Sequence, residues 1–118
     1  MSQSLRLINL RTRAVLADRV RPCHDFLTRL RGLLGTRKLP AGEACWLRPC
    51  NAVHTLGMGY PLDLYFLDKK NRVVTVIRNL KPNRFSSLEG RAHSVLEFSA
   101  GHNRDCKVGD PLKFEGVR

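Results

Sequence analysis

The sequence predicts an α+β fold: a single compact domain over residues 1–118, with a predominantly antiparallel, strongly curved sheet or partial β-barrel and one main helix packed on it. Three observations lead there. Segments of strand length and pattern outnumber the one segment with helical spacing. The strand–helix–strand alternation of a parallel sheet is missing. And 118 residues suit one domain that buries roughly two thirds of its unfolded surface.

The elements follow in chain order. "LRLINLRTRAVLADRV", residues 5–20, alternates apolar and polar positions and predicts two short strands around a turn near Arg11 and Thr12. "CHDFLTRLRGLLG", residues 23–35, sets Phe26, Leu27, Leu30, Leu33 and Leu34 at helical spacing, with Gly32 or Gly35 suited to a C-cap, and so predicts a helix of about three turns. "ACWL" predicts a short strand. "LDLYFLDKKNRVVTVIRNL", residues 62–80, is the clearest local signal: two β-rich runs flank the turn "DKKN", which predicts a hairpin. Apolar residues on both faces place that hairpin centrally in the sheet. "KPNRFSSLEGR" reads as a polar loop, "AHSVLEFSAG" as a strand, "HNRDCKVGD" as a short helical turn or loop, and "PLKFEGV" as a last strand.

Composition narrows the function classes. A hydrophobic fraction of 42% with 26% charged residues belongs to a folded globular chain. The net charge of +11 leans toward residues 1–38, which hold nine basic and two acidic side chains, yet no block of five basic residues occurs. Nucleic-acid recognition would want a basic stripe interleaved with stacking aromatics, and the phenylalanines instead sit in apolar contexts. Acidic partners suit the charge better. No apolar run approaches the ~18 residues of a membrane helix, and the opening does not read as a secretory signal, so a cytoplasmic protein is expected. There Cys23, Cys45, Cys50 and Cys106 are expected as reduced thiols, and their spacing matches no CxxC pair. Glu97, at a polar position of an apolar strand, is expected to face solvent or pair with an arginine.

The candidate site is "PCNAVHTLGMGYPLD", Pro49 to Asp63, and within it Cys50, His54, Thr55, Met58 and Asp63. A metal held by Cys50, His54 and Asp63 needs donor atoms within roughly 4 Å of one another, whereas a straight strand sets Cys50 and His54 about 13 Å apart. Only a tight loop joins them. A Cys50 nucleophile would need an imidazole beside it, from His54 or alternatively His24 or His93. Asp63, between two leucines at the head of the hairpin, needs a backbone donor from the Gly57–Tyr60 turn or an arginine. Walker, GxGxxG, HExxH and GxSxG motifs are absent, so no cofactor or metal is assigned and no catalytic residue is named.

Taken in order, "RGLLG", "LP", "HTLGMGYPLDLYFLD", "NRVV", "VLEFSAG" and "KVGD" resemble domain of unknown function family 192 over about residues 26–116. The resemblance implies a compact domain with a curved sheet, brings no established activity, and points to Pro49, Cys50, His54, Thr55, Met58, Pro61 and Asp63 as the signature positions. Neighbouring pilus-assembly genes in some relatives imply an envelope or pilus-assembly partner. The reading is therefore a small binding or accessory domain, with a pocket or partner surface at Cys50–Asp63 for a protein or small molecule. The alternatives are an enzyme or metal-dependent site using Cys50, His54 and Asp63, and a basic nucleic-acid module.

Overall fold

The structure, a computed structural model, describes residues 4–23 and 39–117. Seven strands form one sheet: β1 (Ser4–Asn9), β2 (Val15–Cys23), β3 (Glu43–Leu47), β4 (Leu62–Leu67), β5 (Val73–Leu80), β6 (Ser94–Ser99) and β7 (Leu112–Val117). Their order across the sheet is β5-β4-β6-β3-β2-β1-β7, and every pair is antiparallel except β2 with β3.

The α+β expectation is corrected. Among the described residues there is no helix, and the domain is a curled, mostly antiparallel β half-barrel. The helix expected over residues 23–35 falls, beyond Cys23, outside the described residues, and Cys23 itself ends β2. The seven strands expected from the sequence are present, but the hairpin is not wholly central: β4 is covered on both faces, whereas β5 ends the sheet.

Two edges of the sheet meet where β5 and β7 begin. Val73 N–H donates to Asp110 O at 3.0 Å, Gly109 N–H to Val73 O at 2.8 Å, and Leu112 N–H to Asn71 O at 2.9 Å. Away from this seam β5 and β7 run in opposite directions, as their antiparallel bridge at Arg72 and Pro111 requires. Asp110 locks the seam. Its carboxylate accepts from Arg11 Nε at 2.6 Å, Asn9 Nδ2 at 2.8 Å and Lys107 N at 3.0 Å, and these donors hold it down to a pKa of about 2, the Arg11 bond contributing most.

Strand alternation sorts the core into two layers. Inside the curl, Leu7, Val20, Trp46, Tyr65, Val73, Leu96 and Leu112 come one from each strand, and Phe98 meets Tyr65 edge-on at 5.6 Å. Outside, Leu62, Leu64, Phe66 and Val95 need a cover, because β4 is buried on both faces. Among the described residues Leu39, Val53 and Met58 supply it, so the candidate segment is part of the outer layer of the fold.

Candidate functional site

The segment is fastened to the loop over residues 83–89, which runs antiparallel to it. Asn83 N–H donates to Thr55 O, Thr55 N–H to Arg84 O and Ser86 N–H to Val53 O, at 2.9, 2.9 and 2.8 Å, and Glu89 N–H reaches Asn51 O at 2.9 Å. Thr55 is the centre of the ribbon. With 0% exposure, its hydroxyl donates to Lys81 O at 2.7 Å and accepts from Arg84 N at 3.0 Å, while its carbonyl also takes Met58 N–H at 3.1 Å. Gly57 turns the chain at φ 79°, in the left-handed region, and its N–H donates to Asn83 Oδ1 at 3.0 Å. That turn drops the Met58 side chain into the outer layer.

His54 and Asp63 take different partners. The His54 ring lies 6.0 Å from Phe85 at a tilt of 50°, and its Nδ1 accepts Leu56 N–H at 3.3 Å. Asp63 is buried on β4 beside a bulge, where Leu62 pairs with Leu80 but Leu64 with Ile77. The extra residue on β5 leaves an amide outside the ladder, and Asp63 Oδ1 accepts that Asn79 N–H at 2.8 Å. Asp63 Oδ2 accepts Arg104 Nη1 at 3.3 Å. Arg104, buried at 4.0 Å over the Phe98 ring, also donates to Ala41 O at 3.2 Å, and burial lowers its pKa against the pull of Tyr65 and Asp63. Asp63 thus binds an arginine and a backbone amide, though the amide comes from β5 and not from the Gly57–Tyr60 turn.

Cys50 begins the segment. Its N–H donates to His93 O at 2.9 Å and its thiol to Ala52 O at 3.1 Å. Two solvent-open cavities adjoin here: one of about 330 Å³ lined by Pro22, Cys23, Trp46, Arg48, Pro49 and His93, and one of about 190 Å³ lined by Pro49, Cys50, Asn51, Ala92 and His93. Among the described residues no group of three or more His, Cys, Asp or Glu side chains is placed to hold a metal.

Two expectations need correction. Cys23 and Cys45 are joined as a disulfide with Cα atoms 5.9 Å apart, so only Cys50 and Cys106 keep thiols. The parallel register of β2 and β3, which sets Cys23 opposite Leu47 and Arg21 opposite Cys45, makes the two cysteines diagonal neighbours, a proximity invisible in a spacing of 22 residues. Glu97 does not face solvent: it has 0% exposure on β6, between Cys45 of β3 and Leu64 of β4. Sequence reasoning also missed Phe85, Asn83 and Ser86, which sit in a stretch taken as plain loop. The paired turn formers Pro82 and Asn83 were its one signal of order.

A seven-stranded half-barrel with an irregular outer layer defines the class of domain. The model of the DUF192 family (domain of unknown function 192), described as an uncharacterised ACR, matches residues 8–114, and the chain belongs to that family. Two solved structures share the fold. A putative transcription regulator from Sinorhizobium meliloti 1021 is 21% identical with a TM-score of 0.74, over 95% of this chain and 92% of that one. A protein of unknown function from Novosphingobium aromaticivorans DSM 12444 is 20% identical with a TM-score of 0.73, over 93% and 83%. No curated protein matches significantly. No helix among the described residues is long and apolar enough to cross a membrane.

Proposed function

We propose that the protein is a binding or accessory domain whose partner surface is the ribbon of residues 51–58 and 83–89, and that its partner is an acidic protein segment with apolar anchors. The observation that carries this reading is exposure. Phe85, Leu88 and Leu56 stand 71%, 73% and 40% exposed on the ribbon, although the residues between and beside them are pinned by backbone bonds. Large apolar groups exposed on an already fixed backbone add little backbone ordering cost on binding and are favoured as interface anchors. Exposed Lys81 and Arg84 flank them, and with the net charge of +11 they favour an acidic complement.

The test is affinity capture from the native cell with wild-type and Phe85→Ser/Leu88→Ser baits, at low and at raised salt. A protein that is retained by wild type, lost from the double variant and weakened by salt supports the reading. Equal recovery on both baits overturns it. Such surface changes should alter folding stability by less than about 0.5 kcal/mol, so loss of fold does not confound the comparison.

The net charge and the fold shared with a putative transcription regulator favour a second reading, a basic nucleic-acid module. Phe85 is the one exposed aromatic among the described residues, too few for a stacking platform. A steep fall of DNA or RNA affinity with salt that is insensitive to Phe85→Ser would favour this second reading.

A further inference from the structure

Three of the four cysteines converge where β2 and β3 end. Cys45 and Leu47 lie on one side of β3, Cys23 is bonded to Cys45, and after the bend at Arg48 and Pro49 the Cys50 side chain packs against this cluster. A thiol thus packs against the cluster that contains the disulfide. The two are accessible from the same side, because Cys23 and Cys50 border adjoining cavities that share Pro49 and His93. Cys45, by contrast, is wholly buried.

Exchange requires a thiolate that can approach a disulfide sulfur, and it is faster when the departing sulfur leaves as a stabilised anion. The surroundings differ for the two sulfurs of the bond. Cys23 opens onto the larger cavity, whose wall includes the Arg48 guanidinium, seated 3.9 Å over the Trp46 ring, and the exposed His93. Water and a cation there favour Cys23 as the leaving thiolate.

We propose that Cys23, Cys45 and Cys50 form a thiol–disulfide exchange site in which Cys50 is the attacking thiol and Cys23 the leaving one. Cys50 gives its proton to water or to His93, and its thiolate attacks Cys45 Sγ. The Cys45–Cys50 bond forms as the Cys23–Cys45 bond breaks, its electron pair departs on Cys23 Sγ, and the proton returns to that sulfur. One disulfide and one thiol exist before and after, so no outside oxidant or reductant takes part. The effect is to move the covalent tie from the end of β2 to the first residues of the ribbon, and to present a reactive thiol in the larger cavity for a disulfide-bearing substrate. In a reducing compartment, where disulfides are mostly transient and redox-active, such a site is a sensor or a shuttle.

The test is trapping with iodoacetamide at pH 8 on unreduced protein, followed by peptide mapping without reduction. Exchange predicts two alkylated species: Cys50 labelled with Cys23–Cys45 linked, and Cys23 labelled with Cys45–Cys50 linked. Alkylation of Cys23 should fall by about tenfold or more in Cys50→Ser, which lacks the attacking thiol. Cys106 gauges the fold in each sample, since burial pushes its thiol up to about 12 and keeps it unlabelled in intact protein. Labelling confined to Cys50 in the wild type, or a migrated bond running from Cys23 to Cys50, overturns the proposal. So does alkylation of Cys23, Cys45 and Cys50 together without any linked pair. The wild-type map decides the matter even if Cys50→Ser exposes Cys106.

Discussion

The two layers of the core are held by different forces. Inside the curl, all seven strands contribute apolar side chains to one cluster, so the cohesion is burial shared among many partners. The outer layer is covered by irregular chain, and there the fastening is polar: Thr55, Asn83 and Ser86 tie the ribbon. The difference separates stability from display. The inner layer draws on every strand, while the ribbon over the outer layer carries exposed Phe85 and Leu88.

The comparison breaks most visibly at Phe98. Its ring packs on Tyr65 and carries the Arg104 guanidinium, so Phe98→Ala empties the inner layer and unseats a buried ion pair at once. A loss of about 3 to 5 kcal/mol in urea unfolding is expected. A loss below about 1 kcal/mol would mean that the inner layer is not the main source of cohesion.

Acid tests the seam that closes that layer. Asp110 is buried and held at about 2, below its ordinary 3.8, so the folded state binds its proton less readily than the unfolded chain. The sign follows: the stabilisation is fully present above the unfolded value and is lost as pH falls through the folded one. Between pH 4 and pH 2 the wild type should lose about 2 kcal/mol from this group. Asp110→Asn should start less stable and show a flatter pH dependence in that window. Parallel curves for the two proteins would remove Asp110 from the account.

How far the sequence revealed this arrangement follows the same division. The inner layer was legible, because strand alternation is a local signal: residues 62–80 read as a hairpin, and β4 and β5 pair antiparallel through a turn at Asp68–Asn71. What a strand meets across the sheet is not local. Nothing near Cys23 announces the parallel pairing that brings it to Cys45, and the Asp63–Arg104 pair joins residues 41 apart. For Glu97 the solvent-facing alternative fails for the same reason, since its polarity suggests a wet face while its strand lies between β3 and β4. The α+β expectation failed on its helix, which the described residues do not contain. In the candidate segment, Cys50, His54, Thr55, Met58 and Asp63 were picked out by residue type, but they are dispersed: Met58 fills the outer layer, Asp63 braces a bulge, and Cys50 joins the disulfide cluster.

Thr55→Val sharpens the contrast with the smallest expected loss. Valine keeps the shape of threonine, so the apolar packing of the outer layer survives while the hydroxyl is removed. Lys81 O and Arg84 N–H then lose the partner that the buried Thr55 side chain supplies, across partly buried bonds, and their loss costs about 1 kcal/mol. The backbone bonds of the ribbon remain, which predicts a local effect: hydrogen exchange should accelerate at the Asn83, Arg84 and Ser86 amides, while the Tyr65, Leu96 and Leu7 amides of the inner strands keep their rates up to the lowered global limit. If the inner amides accelerate by as much as those of the ribbon beyond that limit, the two layers unfold as one unit. In that event the rigidity that holds Phe85 and Leu88 in water comes from the whole sheet, and Thr55 is not its source.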